Sequence, residues 1–271
     1  MAEFTVRRGD VVLSGEEAGE GPAVVLLHGL TATRRYVVMG SKALERSGHR
    51  VILYDARGHG RSTGAAGPGE YDYHRLAGDL LAVLDDRGVE RAVLAGASMG
   101  AHTALRLALA DPARVAGIVA ITPAYDERTF GDPQALAQWD RLAHALRTGG
   151  PEAFVAAYDV SSIPAQWRET AVTVMRQRLA AHEHPEAVAD ALAGVPRSRP
   201  FRAIRDLLVL GCPVTVVADR DEADPGHPLA VGEAYAAAIP GAELVVEAPG
   251  TSPIAWQGGQ LSRVIAAMTG G

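Results

Sequence analysis

Cysteine is almost missing from this 271-residue sequence: Cys212 alone cannot close an internal disulfide, so the fold must rest on core packing. That fits a reducing, cytoplasmic setting. Cys212 directly precedes Pro213 at the start of an apolar run and is expected to pack rather than react. Long runs of one charge are missing too. The balance of 26 Lys plus Arg against 32 Asp plus Glu gives −6, no basic run exceeds a dipeptide, and nucleic acid is excluded as an expected partner. No apolar stretch suits a membrane span. Glu3, Arg7, Arg8, Asp10, Glu16 and Glu17 interrupt the first twenty residues, where a secretory signal would need an apolar core. Finally, no histidine follows His227.

What is present is 48% hydrophobic and 21% charged, with a mean hydropathy of +0.04, enough for one large core. Short Val/Ile/Leu-rich runs at Ala23 to Leu27, Arg50 to Tyr54, Ala92 to Ala95, Val115 to Ile121, Val214 to Ala218 and Glu243 to Val246 predict strands buried on both faces. Phe4 to Leu13 alternates as an antiparallel hairpin would. Helical spacing falls between the strands at Arg34 to Ser47, Tyr73 to Asp86, Met99 to Ala110, Pro228 to Ala238 and Ala255 to Met268. The class is therefore α/β with a mostly parallel sheet, its ligands expected beyond the strand carboxyl ends. From about Asp126 the rhythm breaks. Gln134 to Leu146 and Trp167 to Ala181 are helical patterns without an intervening strand, so 126–205 is expected to be a helical cap on a core of 1–125 and 206–271. Gly149-Gly150-Pro151 and Pro196 to Pro200 read as joints.

Gly96-Ala97-Ser98-Met99-Gly100 has the form G-x-S-x-G between a strand and a helix, which predicts a strained turn presenting the Ser98 hydroxyl at a helix amino terminus. Free N–H groups there favour an anion. The backbone N–H groups of Met99 and of Leu30, in the loop His28-Gly29-Leu30-Thr31, are the expected oxyanion donors.

With these motifs the chain resembles the α/β-hydrolase superfamily, in particular its small intracellular members with a helical cap. His28-Gly29 is similar to the family's oxyanion loop, and Asp55-Ala56-Arg57-Gly58-His59-Gly60-Arg61-Ser62 to its D-x-R-G-x-G-x-S turn, which implies structural roles for Asp55 and His59. A serine at the elbow implies hydrolysis of an ester, thioester, lactone or C–C bond through an acyl-enzyme, where related dehalogenases and epoxide hydrolases carry aspartate.

Such a serine needs a base and an orienting carboxylate. Asp219-Arg220-Asp221-Glu222-Ala223-Asp224 is similar to the family's acid segment, with Asp221 as the candidate acid and Asp224 as the reserve. The family's histidine belongs in the loop after the last strand, yet Ala248-Pro249-Gly250-Thr251-Ser252-Pro253-Ile254 has none. Only His227 can complete the order Ser, Asp, His; its place before Pro228 equally suits a residue flanking a helix start. The gap leaves open a non-hydrolytic ligand-binding protein or a lyase that uses the oxyanion hole alone. His28, Tyr125 and Trp256 are candidate pocket residues for a small, largely apolar substrate. No spacing calls for a metal or an organic cofactor, and oligomeric state is not legible.

Overall fold

Period-two alternation inside the strands sets the layering. The computed structural model describes residues 1–161, 163–220 and 224–269. After the hairpin β1 (Ala2–Arg8) and β2 (Val11–Ala18) come β3 (Ala23–Leu27), β4 (Arg50–Tyr54), β5 (Ala92–Ala97), β6 (Val115–Ile121), β7 (Val214–Ala218) and β8 (Glu243–Val246). They form one sheet in the order β1-β2-β4-β3-β5-β6-β7-β8, antiparallel through β1, β2 and β4 and parallel from β4 to β8. Val25, Ile52, Leu94, Ile118 and Val216 face one side, packed against α2 (Tyr73–Asp86), α3 (Met99–Ala110) and α7 (Leu229–Ala238). Their neighbours Val24, Val51, Val93, Val119 and Val217 face the other, against α1 (Ala43–Arg46) and α8 (Gly258–Ala267). Both faces are covered, which is why these strands read as unbroken apolar runs.

The helix expected over Arg34 to Ser47 is a correction. Positive φ at Met39 (49°) and Gly40 (73°) breaks it, leaving a single 3-10 turn at Arg34–Tyr36 and the four-residue α1. Between β6 and β7 lie three helices, α4 (Pro133–Ala157), α5 (Ala165–Ala180) and α6 (Pro185–Gly194), where sequence periodicity pointed to two. Pro185 supplies a preset φ in the first turn of α6. The Gly149-Gly150-Pro151 joint is a kink inside α4, with Gly150 at φ 67°.

This insertion has its own apolar cluster of Leu142, Leu146, Phe154, Leu179, Val188 and Leu192, against which the core residue Leu30 packs. Ala191 of α6 joins Ala56, Tyr71, Tyr73, Leu76 and Met99 in a second cluster, seating the insertion over the strand carboxyl ends. His182, between α5 and α6, ties it down by accepting from the Gly60 N–H at 2.8 Å and reaching the Thr31 carbonyl at 3.2 Å. Cys212 packs against the core, and burial raises its thiol pKa. Among the described residues no helix is long and apolar enough to cross a membrane.

Candidate active site

β5 ends at Ala97 and α3 begins at Met99, so Ser98 alone makes the turn between them, at φ 49° and ψ −109°. This is a strained region for a residue with a Cβ. The flanking glycines make the bend possible through close approach. A Cβ on Gly96 would lie 2.3 Å from the Gly100 backbone, and one on Gly100 2.2 Å from the Leu27 carbonyl oxygen.

Opposite Ser98 stands His227. Its Nε2 is 2.9 Å from the Ser98 Oγ and its Nδ1 is 2.8 Å from Asp224 Oδ2. Asp224-Pro225-Gly226-His227 forms a tight turn closed by the His227 N–H donating to the Asp224 carbonyl at 3.1 Å, with proline at the position that prefers its fixed φ. One four-residue turn thus delivers both carboxylate and imidazole. The geometry calls for Nδ1–H donating to Asp224, leaving Nε2 to accept from the serine hydroxyl. Burial raises the Asp224 pKa, but the adjacent His227 ring, its hydrogen bond and the charge of Arg178 outweigh it, holding the carboxyl below its usual range. For His227 burial lowers the pKa, and the Asp224 charge and hydrogen bond more than reverse this, so the ring titrates above its usual value. Both side chains keep about a quarter of their surface exposed, 24% and 26%. Asp221, the first choice of acid by position, lies outside the described residues; the reserve, Asp224, holds the histidine.

The loop after β3 runs beside the elbow. A Cβ on Gly29 would sit 3.6 Å from the Ser98 Cβ. Among the described residues no acceptor takes the N–H of Leu30 or of Met99. Histidines brace this loop from behind. His28, fully buried, donates from Nδ1 to the Gly29 carbonyl at 2.8 Å and accepts from the Ala56 N–H at 2.9 Å, while the His59 Nε2 lies 2.6 Å from the Leu30 carbonyl. His28 supports the loop and lines a small cavity with Met99 and Thr103, and its pKa is well below the usual value because burial disfavours its charge. Asp55 accepts from the backbone of Arg34 and Arg61, a structural placement.

Tyr125 is buried against Phe201 and Phe130, and its hydroxyl donates to the Arg202 carbonyl at 3.0 Å. It is a core residue by placement. Trp256 meets Trp167 of α5 edge to face, with ring centres 5.9 Å apart, joining the insertion to the loop after β8.

In the loop after β8, Thr251 is exposed and donates to the Ala248 carbonyl at 2.7 Å. Sequence reading assigned no role of their own to three groups, although Asp219 opens the acid segment. Asp219, just past the end of β7, is fully buried: it accepts from the Ala255 N–H at 3.2 Å through Oδ1, its Oδ2 has no partner among the described residues, and burial pushes its pKa up to about 7. Glu247, at the end of β8, accepts from the Arg220 N–H at 2.5 Å. Arg178, in the last turn of α5, adds a positive charge that acts on Asp224 and His227. Placement at strand ends signalled the carboxylates; nothing in the α5 pattern singled out Arg178. Among the described residues no group of three or more His, Cys, Asp or Glu side chains could hold a metal ion.

Comparison with known proteins follows this geometry. The profile of the alpha/beta hydrolase fold matches residues 22–254. A protein named carbamate hydrolase RutD from Variovorax paradoxus (strain S110) is 33% identical over 210 residues, 75% of each chain. A thermophilic esterase from Thermogutta terrifontis superposes with a TM-score of 0.79 at 26% identity, covering 99% of this chain and 97% of that one. Est816, described as an N-acyl homoserine lactone degrading enzyme, gives 0.76 at 26% identity over 98% and 99%.

Proposed function

Because the chain belongs to the alpha/beta hydrolase fold family and its relatives are hydrolases, we propose that it is a serine hydrolase that cleaves an ester, thioester, lactone or related acyl bond of a small substrate through an acyl-enzyme on Ser98. The observation that carries this reading is the unbroken line from Ser98 Oγ to His227 to Asp224, at 2.9 and 2.8 Å. His227 takes the hydroxyl proton as the Ser98 oxygen forms its bond to the acyl carbon, and Asp224 keeps the ring in the required tautomer and stabilises the imidazolium. The N–H groups of Leu30 and Met99 receive the oxyanion. The imidazolium then gives its proton to the leaving group as that bond breaks. Water, activated by the same ring, releases the acid and restores Ser98. The three-helix insertion serves as a cap, whose seat on the strand ends supports a role in excluding water.

His227 within reach of Ser98 supports hydrolysis over the ligand-binding and lyase alternatives, which drew on a vacant base position. The experiment is a panel of short-chain esters, thioesters and lactones assayed with the wild type, Ser98→Ala and His227→Ala. Each substitution is expected to lower kcat by about 10⁴-fold or more. Undiminished turnover by His227→Ala would remove the base assignment, and undiminished turnover by Ser98→Ala the reading itself.

A further inference from the structure

Arg178 is a basic side chain whose charge reaches both Asp224 and His227 and that the acyl-transfer steps leave without work. Its guanidinium carbon lies 5.3 Å from the ring centre of Tyr36, the residue that closes the 3-10 turn just beyond the Leu30 loop. Its Nε is buried with no acceptor, and among the described residues no carboxylate pairs with it. Burial lowers its pKa, and Asp224 is the nearby charge that supports the cation. Stacking on Tyr36 engages the face of the guanidinium and leaves its in-plane donors unused. Burying the Nε donor without an acceptor costs free energy that a leucine or methionine in the same place would not. Four residues further on, His182 pins the chain to Thr31 and Gly60, which fixes this end of the insertion relative to the oxyanion loop.

We propose that Arg178 is a specificity residue, binding a carboxylate that the substrate carries in addition to the acyl bond it presents to Ser98. The planar fork of donors matches the two oxygens of a carboxylate. A monoanion also suits the local charge. Asp219, Asp224 and Glu247 already gather at the ends of β7 and β8, so a dianionic phosphate would add repulsion that one arginine does not offset. Tyr36, on which the guanidinium rests, offers aromatic surface for the apolar body between the two polar ends. The substrate class becomes the half-ester of a short dicarboxylic acid, or the lactone of a short hydroxy-dicarboxylic acid that keeps its second carboxylate. This rests on the serine-hydrolase reading above.

The test uses the monomethyl esters of malonic, succinic, glutaric and adipic acids, each beside a neutral methyl ester in which an isopropyl group replaces the carboxylate. For the best member of the series the wild type should favour the acid over its isostere by about 30-fold or more in kcat/KM, the size expected for a desolvated charged pair. Arg178→Gln should collapse that ratio to near one, chiefly through KM, and Arg178→Lys should restore part of it; thermal unfolding midpoints check that both variants fold. Separately, calorimetry with Ser98→Ala should show the half-ester binding, and the same titration with Ser98→Ala/Arg178→Gln should show that binding lost. If no ester is hydrolysed while Arg178-dependent binding persists, the hydrolase reading fails and the carboxylate site stands. If esters are hydrolysed but no member shows an Arg178-dependent preference or binding, the carboxylate site is overturned and the hydrolase reading stands.

Discussion

His227 and Asp224 stand three residues apart on one turn, so the protonation of one is set directly by the other. Asp224 lifts the His227 pKa above its usual value against the opposing effect of burial. Only the neutral ring can accept the serine proton, so kcat/KM is expected to rise with pH through that elevated pKa and to fall below it as the ring becomes charged. Asp224→Asn removes the anion that raises the pKa. It should lower kcat/KM by roughly 10⁴-fold at neutral pH and move the remaining acid limb to lower pH, both read from the pH profile. An acid limb that stays in place would show that another carboxylate governs the ring. The turn at Ser98 was legible at this scale because the elbow is a local pattern, fixed by five consecutive residues. The acid was less legible: Asp221 and Asp224 both follow the same strand, and sequence offers no means to see that Asp224 opens the turn that ends in His227. Arg178 was invisible because its meaning lies in its contact with Tyr36 and its charge near Asp224, both remote in sequence.

At the level of elements, the site depends on how closely β3, β5 and α3 approach one another. Gly100, in the first turn of α3, faces the Leu27 carbonyl of β3, and a Cβ at 2.2 Å from that oxygen cannot be accommodated without moving backbone. Gly100→Ala should therefore displace the Met99 N–H from its place beside the Leu30 loop. The expected outcome is a loss of about 2 kcal/mol or more in stability, measured by urea unfolding, with activity falling further than the stability change explains. An alanine variant with wild-type stability and turnover would contradict the packing argument. Strands were read almost to the residue because their burial on both faces leaves continuous apolar runs bounded by polar loops. The segment after β3 was misread because its periodicity is helical while two consecutive left-handed residues, Met39 and Gly40, interrupt the backbone.

Across the whole molecule, buried neutral histidines connect the insertion, the oxyanion loop and the elbow helix. His28 is held well below its usual pKa, and burial pushes His102 and His182 down to about 3. Between about pH 6.5 and 3 the His102 and His182 rings stay neutral when folded, whereas the unfolded chain binds protons at the same positions. The unfolded state then carries more protons, so stability must fall as pH drops through that window, by up to about 1.4 kcal/mol per pH unit for each ring. His182→Ala should make the curve shallower between pH 6.5 and 4, while at pH 7 it costs about 1–3 kcal/mol for the orphaned Gly60 N–H. Parallel urea titrations of the two proteins supply the comparison, and identical slopes would refute the linkage. The presence of the insertion was legible as a break in the strand rhythm; its seating was not, because the clusters joining Leu30 and Met99 to it involve residues more than ninety positions apart along the chain.

The account turns on whether the His227 ring activates the Ser98 hydroxyl. The most direct measurement is the rate of covalent labelling by a neutral fluorophosphonate, followed by intact mass and peptide mapping in the wild type and His227→Ala. One label per chain on the peptide containing Ser98, with a rate at least about 10³-fold lower in the variant, is the predicted result. Labelling of Ser98 at the same rate in both proteins would contradict it.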